Sequence, residues 1–369
     1  MNSSAIFTFA SMMKPKAGTV LFLSICIGIV AAARPTHRLQ GRTAAIARRH
    51  AAIRWALTAV GSSSGENLQH LRDQAILEQR EFCLSDRGLF LDTEANFVRF
   101  PIEFDGFAFS MFCYGRQDLV SNGIFQAGSW EEETSKNMLA TMQQACLQLN
   151  IPLDKAIFLD IGANIGWYTL LFAAAGHSVI AFEPMRANEQ LLRRSLCSNA
   201  GFQERVTYYN IMLSNAPHKN CTLFSDIDNS GDGTVTCDQH FLPPENYTVQ
   251  DAGLQMTTVD TALADLSDPI VMVKMDVEGH EGHVFKGAER TIIEAHVPYV
   301  IFEFGYAWIE RSGGHPQALL ARLVGAGYQF SFESFQGTTF DPLVYYSDPV
   351  VQQQDMIRNI FCVHERMLH

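Results

Sequence analysis

From residue 156 onward, apolar runs of strand length alternate with stretches of helical periodicity, and glycine or proline marks most of the junctions. Ala156-Ile-Phe-Leu-Asp-Ile161 reads as a buried strand, and Gly162-Ala-Asn164-Ile-Gly166 as the turn after it. Trp167–Ala175 is a helix stopped by Gly176, Ser178-Val-Ile-Ala-Phe-Glu183 a second buried strand closed by Pro184, and Asn188–Asn199 a second helix stopped by Gly201. Val206–Met212 is a third strand. After a break, Ile270–Asp276 is a fourth, a helix follows from about His280 to His296, and Tyr299–Phe304 is a fifth. Pro316–Val324 is helical, and Tyr328–Phe332 and Asn359–His364 are the last two strands. Runs that are apolar on both faces belong to parallel sheets, whose strands need right-handed helical crossovers. The expected fold is therefore α/β: a doubly wound, Rossmann-like, seven-stranded, mostly parallel sheet. Its last two strands are close enough to pair as an antiparallel ribbon.

The segments outside this rhythm are harder to read. Within 66–155, Phe97–Phe104 and Phe107–Cys113 alternate as short strands do, and Glu131–Leu149 has helical periodicity. They form an N-terminal extension, expected to cap the ligand site. Residues 213–255 interrupt the alternation as an insertion, with turn chemistry at Asp228-Asn-Ser-Gly-Asp-Gly233 and a loop at Pro243-Pro244.

Charge divides the chain. Residues 1–65 contain no Asp or Glu but eight of the 27 basic residues. The other 304 residues carry 19 basic groups against 39 acidic ones, a balance of −20. The overall charge of −12 argues against nucleic acid as the partner. Residues 1–65 read as a targeting leader. Ala17–Ala33 is uncharged and mostly apolar, and Ala31-Ala32-Ala33 suits a cleavage site. A signal peptide, or a single-pass anchor through 17–33, would place the protein in the secretory pathway or endomembranes. The acid-free, Arg- and Ala-rich tract Arg38–Val60 instead suits a plastid or mitochondrial transit peptide, and a buried helix is the plainest alternative. Eight cysteines show no CxxC spacing, so a zinc ribbon is disfavoured. Cys221 and Cys237 flank the turn-rich segment and could pair in an oxidising compartment. Asn220-Cys-Thr and Asn246-Tyr-Thr are glycosylation sequons.

A doubly wound sheet binds its ligand beyond the carboxyl ends of its strands. Those ends carry Asp160, Glu183, Asp276 and Glu303. A dinucleotide fingerprint would need glycine at 162, 164 and 167, but Asn164 and Trp167 stand at the second and third places. Asp160 would repel a pyrophosphate and suit a cationic ligand. Glu183, 21 residues beyond Gly162, stands where an acid can accept hydrogen bonds from a ribose diol. The turn therefore favours S-adenosylmethionine over a nicotinamide or other nucleotide cofactor. A glycine turn with a merely structural acid is the remaining alternative.

Three segments resemble the FkbM-type S-adenosylmethionine-dependent methyltransferases: Phe158-Leu-Asp-Ile-Gly-Ala-Asn-Ile-Gly-Trp-Tyr-Thr169, Ala181-Phe-Glu-Pro184, and Val273-Lys-Met-Asp-Val-Glu-Gly-His-Glu281 with Lys286-Gly-Ala288. The Lys-x-Asp-x-Glu-Gly-x-Glu segment is the most specific part. Asp118-Leu-Val-Ser-Asn-Gly-Ile, Gly128-Ser-Trp-Glu131 and Thr257-Thr-Val-Asp260 are weaker echoes, and the resemblance spans about 118–335. His280 and the long insertion depart from the family pattern. The resemblance implies a class I methyltransferase fold and methylation of a hydroxyl oxygen on a small acceptor, carbohydrate among them. An N-methyltransferase of the same fold remains open.

For the cofactor, Asp160, Gly162, Asn164 and Gly166 are expected at the methionine part, Glu183 at the ribose, and Asn210 to Ser214 beside the adenine. A hydroxyl acceptor must lose a proton, which points to Asp276, Glu278 and His280, with Glu281 nearby. His280 is a candidate base or a solvated first-turn residue. Lys274 reads as a structural partner of a neighbouring acid, and Trp167 and Tyr168 as core packing. Asp276-x-Glu278-x-His280-Glu281-x-His283 invites a metal, but it is not His-Glu-x-x-His, and none is expected. The acceptor pocket would come from 66–155 and 213–255.

Overall fold

A computed structural model describes residues 66–84, 97–115, 118–217, 221–227, 229–237, 245–354 and 356–368. The leader with its apolar run 17–33, Asn220 and Pro243-Pro244 lie outside the described residues. Among the described residues no helix is long and apolar enough to cross a membrane.

The chain enters through the helix Glu66–Cys83 and then the hairpin β1 (Phe97–Phe104) and β2 (Phe107–Tyr114). Asp105 and Gly106 make its two-residue turn with φ 50° and 83°, the twist a tight hairpin needs. The hairpin buries Ile102, Phe104, Phe109 and Met111, and Phe104 meets the ring of Trp167 edge-on. Ser195 Oγ accepts from Phe112 N, and Asn199 Oδ1 from Ser110 N, which fastens the hairpin to the helix Arg186–Ser198 and its C-cap. The helices Leu119–Ala127 and Glu132–Leu149 follow.

The central sheet contains β3 (Ile157–Ile161), β4 (Ser178–Phe182), β5 (Val206–Tyr209), β11 (Ile270–Met275), β12 (Tyr299–Phe304), β13 (Tyr328–Ser331), β14 (Thr339–Phe340) and β15 (Arg358–His364). Their order is β14-β13-β15-β12-β11-β3-β4-β5. The five strands from β12 to β5 are parallel, and β15 runs antiparallel between β12 and β13. The order reverses between β3 and β11, the switch point at which doubly wound sheets open a cleft. Phe158, Ile301 and Phe361 face one apolar layer, and Leu159, Val273 and Phe302 the other.

Four details differ from the sequence expectation. The sheet has eight strands, because the two-residue edge strand β14 is too short to carry a period. The third strand stops at Tyr209, and β6 (Met212–Leu213) pairs in parallel with β10 (Met256–Thr257). The helix after β11 is broken into Glu281–Lys286 and a π-helical turn Glu289–Glu294. Gly287 lies between them, where a Cβ would fall 2.0 Å from Ser214 O. The insertion is a three-stranded antiparallel sheet, with β7 (Cys221–Asp226) between β8 (Asn229–Thr236) and β9 (Tyr247–Leu254). Its β8 occupies the stretch read as turn, since Asn, Asp and Gly carry a turn signal that pairing with β7 overrides.

Among the described residues two disulfides are present, Cys221–Cys237 as the spacing allowed, and Cys83–Cys197, which joins the helix Glu66–Cys83 to the helix after β4. Cys113, Cys146 and Cys362 are buried thiols.

Candidate cofactor and acceptor site

A cleft open to solvent lies beyond the carboxyl ends of β3, β4 and β11. Gly162, Asn164, Glu183, Pro184, Ile211–Leu213, Asp276, Glu278 and His280 line it. The insertion adds Leu223, Gly231, Gly233 and Val235 to the lining.

Close backbone approach explains the glycine turn. Gly162 has φ 78°, and a Cβ there would fall 1.7 Å from Asp276 O. The N–H groups of Gly162 and Ala163 both donate to Phe182 O. Gly166, at φ 95°, caps the helix Trp167–Ala174 and packs on Leu192 rather than facing the cleft.

Asp160 is also absent from the cleft wall. It is fully buried, Thr169 Oγ1 donates to its Oδ2 at 2.6 Å, and burial raises its carboxyl above the usual value despite nearby Lys274. Lys274 sits opposite Asp160 in the β3–β11 register. Its ammonium donates to Gly162 O at 3.1 Å and pairs with Asp276 Oδ2 at 3.2 Å. Burial pulls the Lys274 ammonium down, but Asp276 and Asp160 outweigh it and leave it above the ordinary lysine value. Asp160 thus reaches the site through Lys274, which braces the turn from below.

Glu183 joins the two strand-end turns. Its Oε2 accepts from Asn164 N at 3.0 Å and its Oε1 from Met185 N at 2.8 Å. Burial pushes its carboxyl up to about 7, against the pull of these donors. The Asn188 side chain also hydrogen-bonds the carboxylate, whose lone pairs still leave room for a further donor. Asn210 does not line the cleft. Its side chain donates to Glu183 O and Pro184 O, both at 2.9 Å, and so holds the β4 turn. Ser214 is buried behind His280, with its hydroxyl 3.0 Å from His280 Nε2.

The loop after β11 is held from beneath. Glu281, 1% exposed, accepts from Val277 N and Gly279 N, and burial pushes it up to about 7. Glu278 is left at φ 54°, an uncommon conformation for a residue with a side chain. His280 stacks on His283 with ring centroids 4.5 Å apart, on the Ser214 side of the cleft. Oxygens of Asp276, Glu278 and Glu303 lie within 4.8 Å of one another. That spacing occurs both around divalent cations and among solvated acids.

Two groups of residues escaped the sequence reading. Tyr168 is buried but not only packing: its hydroxyl donates to Glu131 Oε2 at 2.6 Å, and Asn359 Nδ2 donates to Glu131 Oε1 at 3.1 Å. The Lys274 ammonium lies 5.6 Å from the Tyr168 ring centroid. Glu131, at φ 45°, is therefore fixed beside Lys274 by two donors from distant elements. The second group holds the insertion. Asp118, buried, caps the helix Leu119–Ala127 by accepting from Ser121 N, and it abuts Gly231. Asn188 Nδ2 donates to Gly231 O at 3.0 Å, and Asn229 Oδ1 accepts from Leu119 N. Asp118 and Glu131 lie in segments already singled out by resemblance, which was the available signal.

The model of the methyltransferase FkbM domain family matches residues 160–330. No curated protein matches the chain. Among solved structures, the chain is similar to methyltransferase FkbM from Methylobacillus flagellatus KT, at 20% identity and TM-score 0.35, over 57% of this chain and 44% of that one. It is similar to precorrin-6y C5,15-methyltransferase from Geobacter metallireducens GS-15, at 11% identity and TM-score 0.33, over 63% and 89%. A third is magnesium protoporphyrin IX methyltransferase from Synechocystis PCC 6803 with bound SAM, at 11% identity and TM-score 0.32, over 79% and 97%.

Proposed function

We propose, from the premise that residues 160–330 are a methyltransferase FkbM domain, that the protein transfers a methyl group from S-adenosylmethionine to a hydroxyl on a small acceptor, sugars among them. The observation that carries this reading is the convergence of the Gly162 turn and the Glu183 carboxylate on one cleft. The turn admits backbone at a distance that a Cβ would forbid, and Glu183 retains acceptor capacity for a ribose diol. Ile211–Leu213 offer an apolar surface for a flat base.

The sulfonium supplies an already activated methyl group. The chain's residues have the remaining tasks of alignment, water exclusion and proton removal. Gly162, Asn164 and Glu183 position the cofactor. Asp276 and Glu278 stand where the acceptor proton would leave, with Lys274 orienting Asp276. His280, paired with Ser214, borders the cofactor rather than the acceptor in this reading. The carboxylates Asp276, Glu278, Glu303 and Glu131 favour a neutral or cationic acceptor over an anionic one. An amine acceptor is accordingly the second reading.

Calorimetric titration of the full chain with S-adenosylhomocysteine tests the proposal. Saturable binding is expected. No binding at about millimolar ligand, a free energy near −4 kcal/mol, would sink it, and NADH binding in its place would restore the nucleotide alternative.

We further infer entry into the secretory pathway. Two disulfides and the exposed sequon at Asn246 support an oxidising compartment, and the leader supports targeting. A fluorescent fusion of residues 1–65 that reached plastids or mitochondria would refute this.

A further inference from the structure

The outer wall of the cleft is a weak piece of sheet. Among the described residues strand β8, which supplies Gly231, Gly233 and Val235, pairs with β7 alone, at the edge of its three-stranded sheet. The first five residues of its sequence, Asn-Ser-Gly-Asp-Gly-Thr-Val-Thr, include two glycines and have little strand preference, whereas Thr234-Val-Thr236 favour a strand. The ladder with β7 is also irregular, shifting register between Phe224 and Asp226. Near its start, β8 is tied to the rest of the fold by Asn188 and Leu119. At its far end, next to Thr236, stands Cys237, joined to Cys221 at the head of β7. Cys221 is fully buried in a small apolar cluster with Met185, Leu223 and Met256, whereas Cys237 is exposed.

We propose that the Cys221–Cys237 disulfide is a structural part of the cofactor site, holding the β7–β8 hairpin as the cleft's outer wall, so that the cofactor is bound tightly only when this bond is closed. The inference rests on the S-adenosylmethionine reading of the cleft. A dithiol reductant supplies two electrons and two protons. The S–S bond breaks, Cys221 and Cys237 become thiols, and the reductant leaves as its own disulfide. The wall then keeps its ladder with β7, the packing of Val235 on the Met185–Leu223–Met256 cluster and the anchors near the start of β8, but loses the covalent link at its far end. Cofactor binding must select the fraction of molecules whose wall is in place, and apparent affinity falls by that fraction. Such a site matures where disulfides form, which couples cofactor competence to compartment.

The test titrates the full oxidised chain with S-adenosylhomocysteine before and after dithiothreitol, with mass spectrometry recording the state of each cysteine. Reduction should weaken binding about tenfold, the factor for a wall in place about a tenth of the time. A C83S/C197S variant should respond in the same way, because that disulfide lies away from the cleft. A C221S/C237S variant should bind like the reduced protein and ignore the reductant. Unchanged affinity with Cys221 and Cys237 shown to be thiols would overturn the proposal, as would finding them unlinked in the oxidised protein. The wild-type titration does not depend on a variant folding. Failure of the oxidised protein to bind at all would overturn the methyltransferase reading itself, and this proposal with it.

Discussion

At Glu183, two backbone N–H groups and the Asn188 side chain draw on one buried carboxylate. Removing it does more than weaken a ligand contact. Glu183→Ala should lower S-adenosylhomocysteine affinity and also cost about 1–3 kcal/mol of stability, because Asn164 N and Met185 N lose their acceptors. Calorimetry and urea unfolding on the same variant measure the two effects, and unaltered affinity would remove the ribose assignment. The pH dependence has a definite sign. Burial raises Glu183 and Glu281 from 4.5 to about 7, so the folded chain holds protons that the unfolded chain has released in this window. Stability should therefore fall as pH rises from about 4.5 to 7 and level off above it. Cofactor affinity should do the opposite, since ribose hydroxyls donate to the ionised form. It should climb toward pH 7 in the wild type and stay flat in Glu183→Gln. Lys274 raises a related question of pairing. Lys274→Met should destabilise by about 3–5 kcal/mol, because Asp160 and Asp276 are left without their shared cation. Unfolding should show partial recovery when Asp160→Asn is added.

Among the elements, the strand–turn–helix unit at 157–174 was readable from residue order, because its signals are local. An unbroken apolar run, a glycine pair and a second apolar segment need no distant partner to be recognised. Its turn gives the prediction that belongs to this scale. Gly162→Ala places a Cβ 1.7 Å from Asp276 O at a positive φ, so the loop after β11 must move. The cost should be about 1–3 kcal/mol in stability, and cofactor affinity should fall with it. Wild-type affinity in that variant would mean the cleft does not depend on close approach of the two strand ends. The insertion shows the opposite case. Residues 228–233 carry a turn signal, yet those from Asn229 on belong to strand β8, because β7 pairs with it and Gly231 abuts Asp118 and Asn164. Edge strand β14 was missed for a simpler reason, since two residues have no period. The break of the long helix after β11 follows from the contact of Gly287 with Ser214, which joins two distant segments.

For the whole molecule, ligand linkage is the broadest test. S-adenosylhomocysteine at one hundred times its dissociation constant should stabilise the fold by about 2.7 kcal/mol, visible as a rise of several degrees in Tm by calorimetry. A Tm unchanged at saturating ligand would show that the cleft does not bind it. The amino-acid sequence alone determined the doubly wound sheet, the place of its cleft and the glycine turn that lines it. Those depend on apolar period and glycine position, which neighbouring residues declare. Only the tertiary structure decided which acids meet the cleft. Asp160 and Asp276 both lie at or next to strand ends, but burial beside Lys274 sets the first beneath the turn and leaves the second in the wall. It also decided that the insertion, through Leu223, Gly231, Gly233 and Val235, lines the cleft. The bonds that tie distant segments together around it join residues 43, 112 and 228 positions apart, at Asn188–Gly231, Lys274–Gly162 and Asn359–Glu131. A hydrogen bond between such positions leaves no local period, so only the folded chain, by bringing donor to acceptor, makes it legible.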